Sequence, residues 1–159
     1  MARQYMNIRL SYEAKLCIEE IQRKIQEKMT DKITTDEIDE VETMVKKYLK
    51  TIDPILAGVS ITNILKVSTS SIIEEAYYQT EKYTPQEWLK IDELVRKAEF
   101  KSDIEVGSLT PKLYLNTDVI EGLQQYQKDF MKESMVRVVK MSYVIKNVVY
   151  AYYLQIRNK

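Results

Sequence analysis

Residues 5–11 read YMNIRLS, with Met6, Ile8 and Leu10 alternating with Tyr5, Asn7 and Arg9. A period of two predicts a short half-buried strand with one apolar and one polar face. Directly after it the period changes: Ala14, Ile18, Ile21, Ile25 and Met29 follow the three-and-four spacing of one helix face, with Ser11 placed to cap the first turn. The same unit returns late in the chain, where Pro111, Leu113 and Leu115 alternate with Thr110, Lys112 and Tyr114, and Asn116 or Thr117 opens a helix carrying Val119, Leu123, Tyr126 and Phe130. Positions 6, 8, 10, 14, 18, 21 and 25 thus recur 105 residues later without a gap. Two short isolated strands in a helical chain cannot satisfy their own backbone groups, so they are expected to pair with each other or with those of a second chain, as a homodimer or higher oligomer. The fold class that follows is mostly α with a short two-stranded antiparallel β-ribbon.

Composition sets the outer bounds. The chain has 159 residues, 45% of them hydrophobic and 30% charged, enough to bury a core in one domain or in two small intertwined ones. No apolar run is long enough to span a bilayer and no signal-peptide pattern opens the sequence, so the expected location is cytoplasmic, with no membrane partner. One cysteine, Cys17, and no histidine exclude a disulfide framework and Cys/His zinc sites. With three glycines, no phosphate-binding loop and no metal-ligand spacing, the sequence offers no catalytic site, no cofactor, no metal and no evident small-molecule ligand. Net charge is formally zero but segregated. Asp31, Asp36, Glu37, Asp39, Glu40 and Glu42 form an acidic block, whereas from Ser134 onward the charged residues are Arg137, Lys140, Lys146, Arg157 and Lys159. Such segregation permits a basic face on a neutral protein.

Between the two strand-helix units the punctuation is clear. A first helix is expected from about 12 to 29. A second, opened by Thr34 or Thr35 and bearing Ile38, Val41, Val45 and Leu49, should stop before Asp53 and Pro54. Residues 54–63 read as a turn and then a short helix or irregular connection. The hydroxyls of Ser68, Thr69, Ser70 and Ser71 offer an N-cap to a helix with Ile72, Ile73, Ala76, Tyr77 and Thr80 on its packed face. Thr84, Pro85 and Glu87 form a capping box with proline at the first helical position, opening a helix with Trp88, Ile91, Leu94, Val95 and Ala98 inward. Residues 101–108 link to the second unit, whose first helix is expected at about 117–133. A last helix carries Val144, Ile145, Val148, Val149 and Tyr152. It echoes the serine-opened helix: Ser70, Ile72, Ile73, Ala76, Tyr77 and Thr80 recur 72 residues on as Ser142, Val144, Ile145, Val148, Val149 and Tyr152.

Strand, helix, break and a serine-opened helix, as in MNIRLS followed by STSSIIEEAYY and again in KMSYVIKNVVYAYY, resemble the ribbon-helix-helix DNA-binding proteins, here as two units in tandem. The resemblance implies a pseudo-dimer in which residues 1–100 form the first unit, with a helical insertion at about 34–66 and an extra helix at about 84–100, and residues 101–159 form the second. A competing assignment takes residues 34–49 as the first unit's second helix. The serine-rich stretch at 68–71 is preferred because it leaves amides able to face a phosphate, which Asp36, Glu37 and Asp39 would repel. The acidic insertion is expected to lie away from the DNA. The family's strands pair into a ribbon that enters the major groove of double-stranded DNA. Its members act as transcriptional repressors or as accessory factors of plasmids and mobile elements.

Chemistry supports this independently of the resemblance. With Met6, Ile8 and Leu10 buried, the ribbon's other face carries Tyr5, Asn7, Arg9, Thr110, Lys112 and Tyr114, and of these Arg and Lys suit guanine acceptors while Asn suits adenine. Phosphate contacts are assigned to the two helix starts, Ser68, Thr69, Ser70 and Ser71 in one and Lys140, Met141 and Ser142 in the other. The twelve tyrosines are not read as a stacking platform for single strands, because Tyr77, Tyr126 and Tyr152 fall on apolar helix faces. The alternative function is a helical protein-protein interaction module that docks a basic partner on the acidic block.

Overall fold

The computed structural model describes residues 2–32, 35–55, 67–100 and 103–158, with the side chains of 30–32, 35 and 36 outside the description. The connection expected at 54–63 lies, from residue 56 on, outside the described residues. The described chain is mostly helical with one two-stranded antiparallel sheet. Its elements are β1 (Arg3–Asn7), α1 (Tyr12–Lys32), α2 (Thr35–Ile52), α3 (Thr69–Thr80), α4 (Pro85–Lys97), β2 (Lys112–Asn116), α5 (Thr117–Asp129) and α6 (Met141–Arg157).

The two strands pair within one chain. Arg3 lies opposite Asn116, Gln4 opposite Leu115, Tyr5 opposite Tyr114, Met6 opposite Leu113 and Asn7 opposite Lys112. Asn7 therefore faces the residue that occupies its own place in the repeat, and the pairing reads the same outward from it in both directions. The amide of Leu10 donates to the carbonyl of Leu109 at 2.7 Å, which continues the same register beyond the strands. The strands expected at 5–11 and 110–116 are thus shifted and shortened to 3–7 and 112–116. The physical reason is Pro111, which comes opposite Ile8 in this register and has no amide to give the ladder.

Local signals in the sequence set most helix ends. Ser11 Oγ accepts from the amide of Ala14 at 3.2 Å at the start of α1. Ser68 caps α3, and Thr84 with Glu87 forms a complete capping box on α4, with Pro85 in the first turn. The end of α2 at Ile52 precedes Pro54, as the restriction on the residue before proline requires. Helix α5 stops at Asp129, short of the expected 133, with Phe130 as its C-cap. Asn116 opens it without a side-chain cap, its amide group being used elsewhere.

Contacts divide the chain into two units, Met1–Gln22 with Ser68–Lys159, and Arg23–Val67. The first unit takes elements from both sides of residue 100. Its centre is the packing of α3 on α6, where the repeated apolar positions meet: Ile72, Ile73 and Ala76 with Val144, Ile145 and Val148 are each at most 2% exposed. Around them lie Leu10, Ile18 and Ile21 from the first repeat and Leu113, Leu115, Val119 and Leu123 from the second, all buried. Helix α3 is therefore the partner of α6 within this unit; α2 belongs to the second unit. Trp88, Ile91 and Val95 of α4 are buried as expected, whereas Leu94 is 38% exposed. Tyr126 stacks on Phe130 with ring centroids 5.1 Å apart and stands 5.5 Å from Trp88. Gly122 is required beside this cluster, because a Cβ there would come within 2.0 Å of the Tyr77 hydroxyl.

The second unit contains the last turns of α1 and all of α2. Within α2, Lys46 pairs with Glu42 one turn back at 3.0 Å. Asp53 Oδ1 then accepts from the amide of Ile55 at 3.0 Å, turning the chain after the helix.

Candidate nucleic-acid interface

One face of the ribbon is polar and exposed. Tyr5, Asn7, Arg9, Thr110, Lys112 and Tyr114, the six positions singled out from alternation, are all exposed. On the opposite face Leu10, Leu113 and Leu115 are buried, but Met6 and Ile8 are only half-buried, which corrects the expectation that all three apolar residues of the first strand lie in the core. The difference follows from position. Helices α3 and α5 pack on β2, while the main neighbour of β1 is β2 itself.

The exposed face is ordered by its own side chains. Tyr5 and Tyr114 sit directly opposite each other with ring centroids 4.6 Å apart. The ammonium of Lys112 lies 4.4 Å from the centroid of the Tyr5 ring. Cross-strand contacts of this kind stabilise a ribbon by roughly 0.2–1 kcal/mol each, so the two tyrosines both stiffen the strands and hold Lys112 in place. Asn7 and Lys112 stand in the middle of the face. At its far end Thr110 is fixed by Ser108, whose Oγ accepts from the Thr110 amide at 3.1 Å.

The start of α3 is bonded to the open edge of β2. Ser70 Oγ accepts from the amide of Tyr114 at 2.9 Å, and Glu74 Oε2 accepts from the amide of Asn116 at 3.0 Å. Glu74, only 6% exposed, also pairs with Arg3 at 3.3 Å, and Arg3 Nη1 lies 3.4 Å from the Tyr114 carbonyl oxygen. The four hydroxyls expected at this helix start have separate tasks. Ser68 accepts from the Ser71 amide at 3.0 Å as N-cap, and Ser70 secures the strand. Thr69 Oγ1 accepts from Lys15 Nζ at 3.5 Å, and Ser71 remains exposed. No acidic residue occupies the first turn. The positive end of the helix dipole and the Lys15 ammonium meet at this helix start, while Arg3 is paired with the buried Glu74.

The start of α6 is bonded elsewhere. Lys140 is its N-cap residue without a side-chain cap, Met141 and Ser142 are half-buried, and its first turn is also free of acidic residues. The preceding segment is held to α5, with the Val139 amide donating to the Gln127 carbonyl at 3.1 Å and Gln127 Nε2 donating to the Val139 carbonyl at 2.9 Å. Tyr143 donates to Asp92 of α4. The counterpart of the Ser70 contact would be Ser142 accepting from the amide of Arg9, and no such bond forms among the described residues. The structure therefore unites the six ribbon residues with the start of α3 and leaves Lys140, Met141 and Ser142 without a bond to the ribbon.

Three residues of this corner were not apparent from the sequence. Arg3 continues the odd-numbered polar series of the strand, a signal that was present. Lys15 and Glu74, only 7% and 6% exposed, sit on helices whose pattern gives no sign of them. Cys17 is buried and its thiol is pushed up to about 12 by burial, then by Glu20 and Glu13, which leaves it without thiolate character. Among the described residues no group of Cys, Asp and Glu side chains is arranged to hold a metal ion. No family model, curated protein or solved structure matches this chain.

Proposed function

We propose that this protein binds double-stranded DNA sequence-specifically, as a ribbon-helix-helix pseudo-dimer folded from one chain, with the β1–β2 ribbon in the major groove. The observation that carries the reading is the ribbon register: Asn7 opposite Lys112 and Tyr5 opposite Tyr114 put the candidate base readers on one exposed face, backed by a hydrophobic core. A two-stranded ribbon fits the roughly 12 Å major groove, and each bidentate contact contributes about 1–3 kcal/mol of base discrimination. Arg9 and Lys112 read guanine and Asn7 reads adenine. The amides at the start of α3, with Lys15 beside them, take a backbone phosphate. The start of α6, with Lys140 and an acid-free first turn, takes a second. Because Tyr5, Asn7 and Arg9 differ from Thr110, Lys112 and Tyr114, the two half-ribbons read different bases and the site of one chain is not palindromic. Acting without catalysis, the protein serves as a cytoplasmic repressor or as an accessory factor of a plasmid or mobile element.

A mobility-shift titration over random duplexes, followed by selection of bound sequences, tests this. Binding should weaken steeply with salt, with a log–log slope of about −0.9 for each phosphate neutralised, and selection should enrich an asymmetric motif. No shift at low salt across several duplex lengths would overturn the reading and favour a protein-docking role.

A further inference from the structure

The exposed face of the ribbon consists of three cross-strand rungs of different chemistry: Tyr5 with Tyr114, Asn7 with Lys112 and, in the register that the Leu10–Leu109 bond continues, Arg9 with Thr110. The repeat sets Tyr5 in the place of Thr110 and Arg9 in the place of Tyr114, so in a symmetric ribbon the two outer rungs would be alike. Here both tyrosines fall at one end and Arg9 at the other. The tyrosine end is closed on itself. The two ring centroids are 4.6 Å apart, the Lys112 ammonium lies 4.4 Å from that of Tyr5, and the Arg3 guanidinium lies 5.7 Å from that of Tyr114. Lys112 thus leans from the middle rung toward the tyrosines, and Arg3 is held in turn by Glu74 at 3.3 Å. At the opposite end Arg9 is exposed, and its guanidinium has no partner among the described residues.

With each ring set against the other and beside a cation, what Tyr5 and Tyr114 offer outward, at 58% and 42% exposure, is mainly the C–H edge of the ring. In the major groove thymine alone presents an apolar group, its C5 methyl. Against guanine, adenine or cytosine the same edges would cover donors or acceptors without replacing their hydrogen bonds, which costs affinity. Two residues along a strand span about 6.8 Å, or about two base-pair steps, so successive rungs fall on different base pairs. We propose that Tyr5 and Tyr114 read thymine by apolar contact with its methyl group, at the end of the site away from the guanine that Arg9 reads. The inference rests on the DNA-binding reading above and gives the asymmetric site a direction: thymine under the tyrosine rung, then the bases under Asn7 and Lys112, then guanine under Arg9.

Replacing thymine by deoxyuridine removes the methyl group and keeps the base pair, so it tests the contact without altering the protein. The probe is the duplex selected from the random pool, its thymines on either strand replaced one at a time, with binding of the full chain read by mobility shift. One or two replacements, confined to one end of the motif, should each weaken binding about fourfold, the worth of one buried methylene. Tyr5→Ser or Tyr114→Ser should abolish the sensitivity of the thymine it touches, whereas Tyr5→Phe and Tyr114→Phe should keep it, because the ring edge remains. The base position relaxed by Arg9→Ala should lie at the other end. A deoxyuridine series bound as tightly as the parent duplex, a sensitivity that survives both serine variants, or one that both phenylalanine variants lose, overturns thymine reading by the rings and leaves DNA binding standing. A sensitive thymine on the same side as the Arg9 position, relative to the base relaxed by Asn7→Ala, overturns the direction. A chain that shifts no random duplex at low salt overturns the DNA-binding reading itself, and this inference with it.

Discussion

The starts of α3 and α6 occupy equivalent places in the 72-residue echo, yet the chain treats them differently. At α3, Ser68 caps the helix, Ser70 holds the Tyr114 amide, and the buried Glu74 holds Asn116 and Arg3. At α6 the position equivalent to Glu74 is Lys146, which lies over the Tyr143 ring at 5.1 Å, and the cap residue is Lys140. One helix start is thus built into the ribbon, while the other carries its positive charge on the exposed Lys140 and the half-buried Lys146. The comparison teaches that repeated apolar positions make two helices pack alike, whereas the polar residues between them decide which one supports the strand.

The largest effect should come where the two halves are alike. Ile73 and Ile145 are both fully buried and equivalent in the echo, so Ile73→Ala and Ile145→Ala should each cost about 2–5 kcal/mol in urea unfolding. A cost confined to one of them would mean that α3 and α6 do not share one core. Just after β1, Leu10 rather than Ile8 takes the corresponding burden, since Leu10 is 1% exposed.

Where the halves differ the effects should differ in kind. Glu74→Ala leaves the buried Asn116 amide without its acceptor, and a loss of about 1–3 kcal/mol of stability is expected; Lys146→Ala should stay within about 0.5 kcal/mol. Equal losses at both positions would remove the asymmetry. Arg9→Ala and Lys112→Ala should leave unfolding within about 0.5 kcal/mol, yet each should lower affinity for a selected duplex by about 1–3 kcal/mol and relax one base position. Calorimetric titration reads that loss directly, and parental affinity in both variants would show that the ribbon is not the reading element. The smallest effect belongs to the helix starts. Ser70→Ala should cost about 1 kcal/mol of stability through the Tyr114 amide, whereas Ser142→Ala should be nearly silent in unfolding and felt, if DNA is bound, as a uniform loss across sequences.

Period and punctuation were legible before any coordinates. Alternation located both strands, and the capping box at Thr84 fixed the start of α4 to the residue. The serine cluster fixed the start of α3, and the repeated apolar positions named fifteen of the twenty-three buried hydrophobic residues among those described. The reason is that these features are local: a face, a cap or a proline acts within a turn or two of itself. Misreadings arose where a residue's neighbour is distant in sequence. Strand β1 shifted toward the N-terminus because of Pro111, a residue far along the chain that the register sets opposite Ile8. Asn116 opens α5 as expected, but its side chain donates to the Tyr78 hydroxyl at 3.4 Å, a partner far off in sequence.

By itself the sequence determined that the chain would form amphipathic helices around two short strands, and which residues of the ribbon would be polar. Only the tertiary structure decided that the strands pair within one chain about Asn7 and Lys112. It also decided that α3 packs on α6, and that Glu74 and Arg3 pair beside the edge of β2. Pairing register and helix partnership depend on surfaces brought together from opposite ends of the chain. A periodic pattern says which face is apolar, but not which other apolar face will cover it.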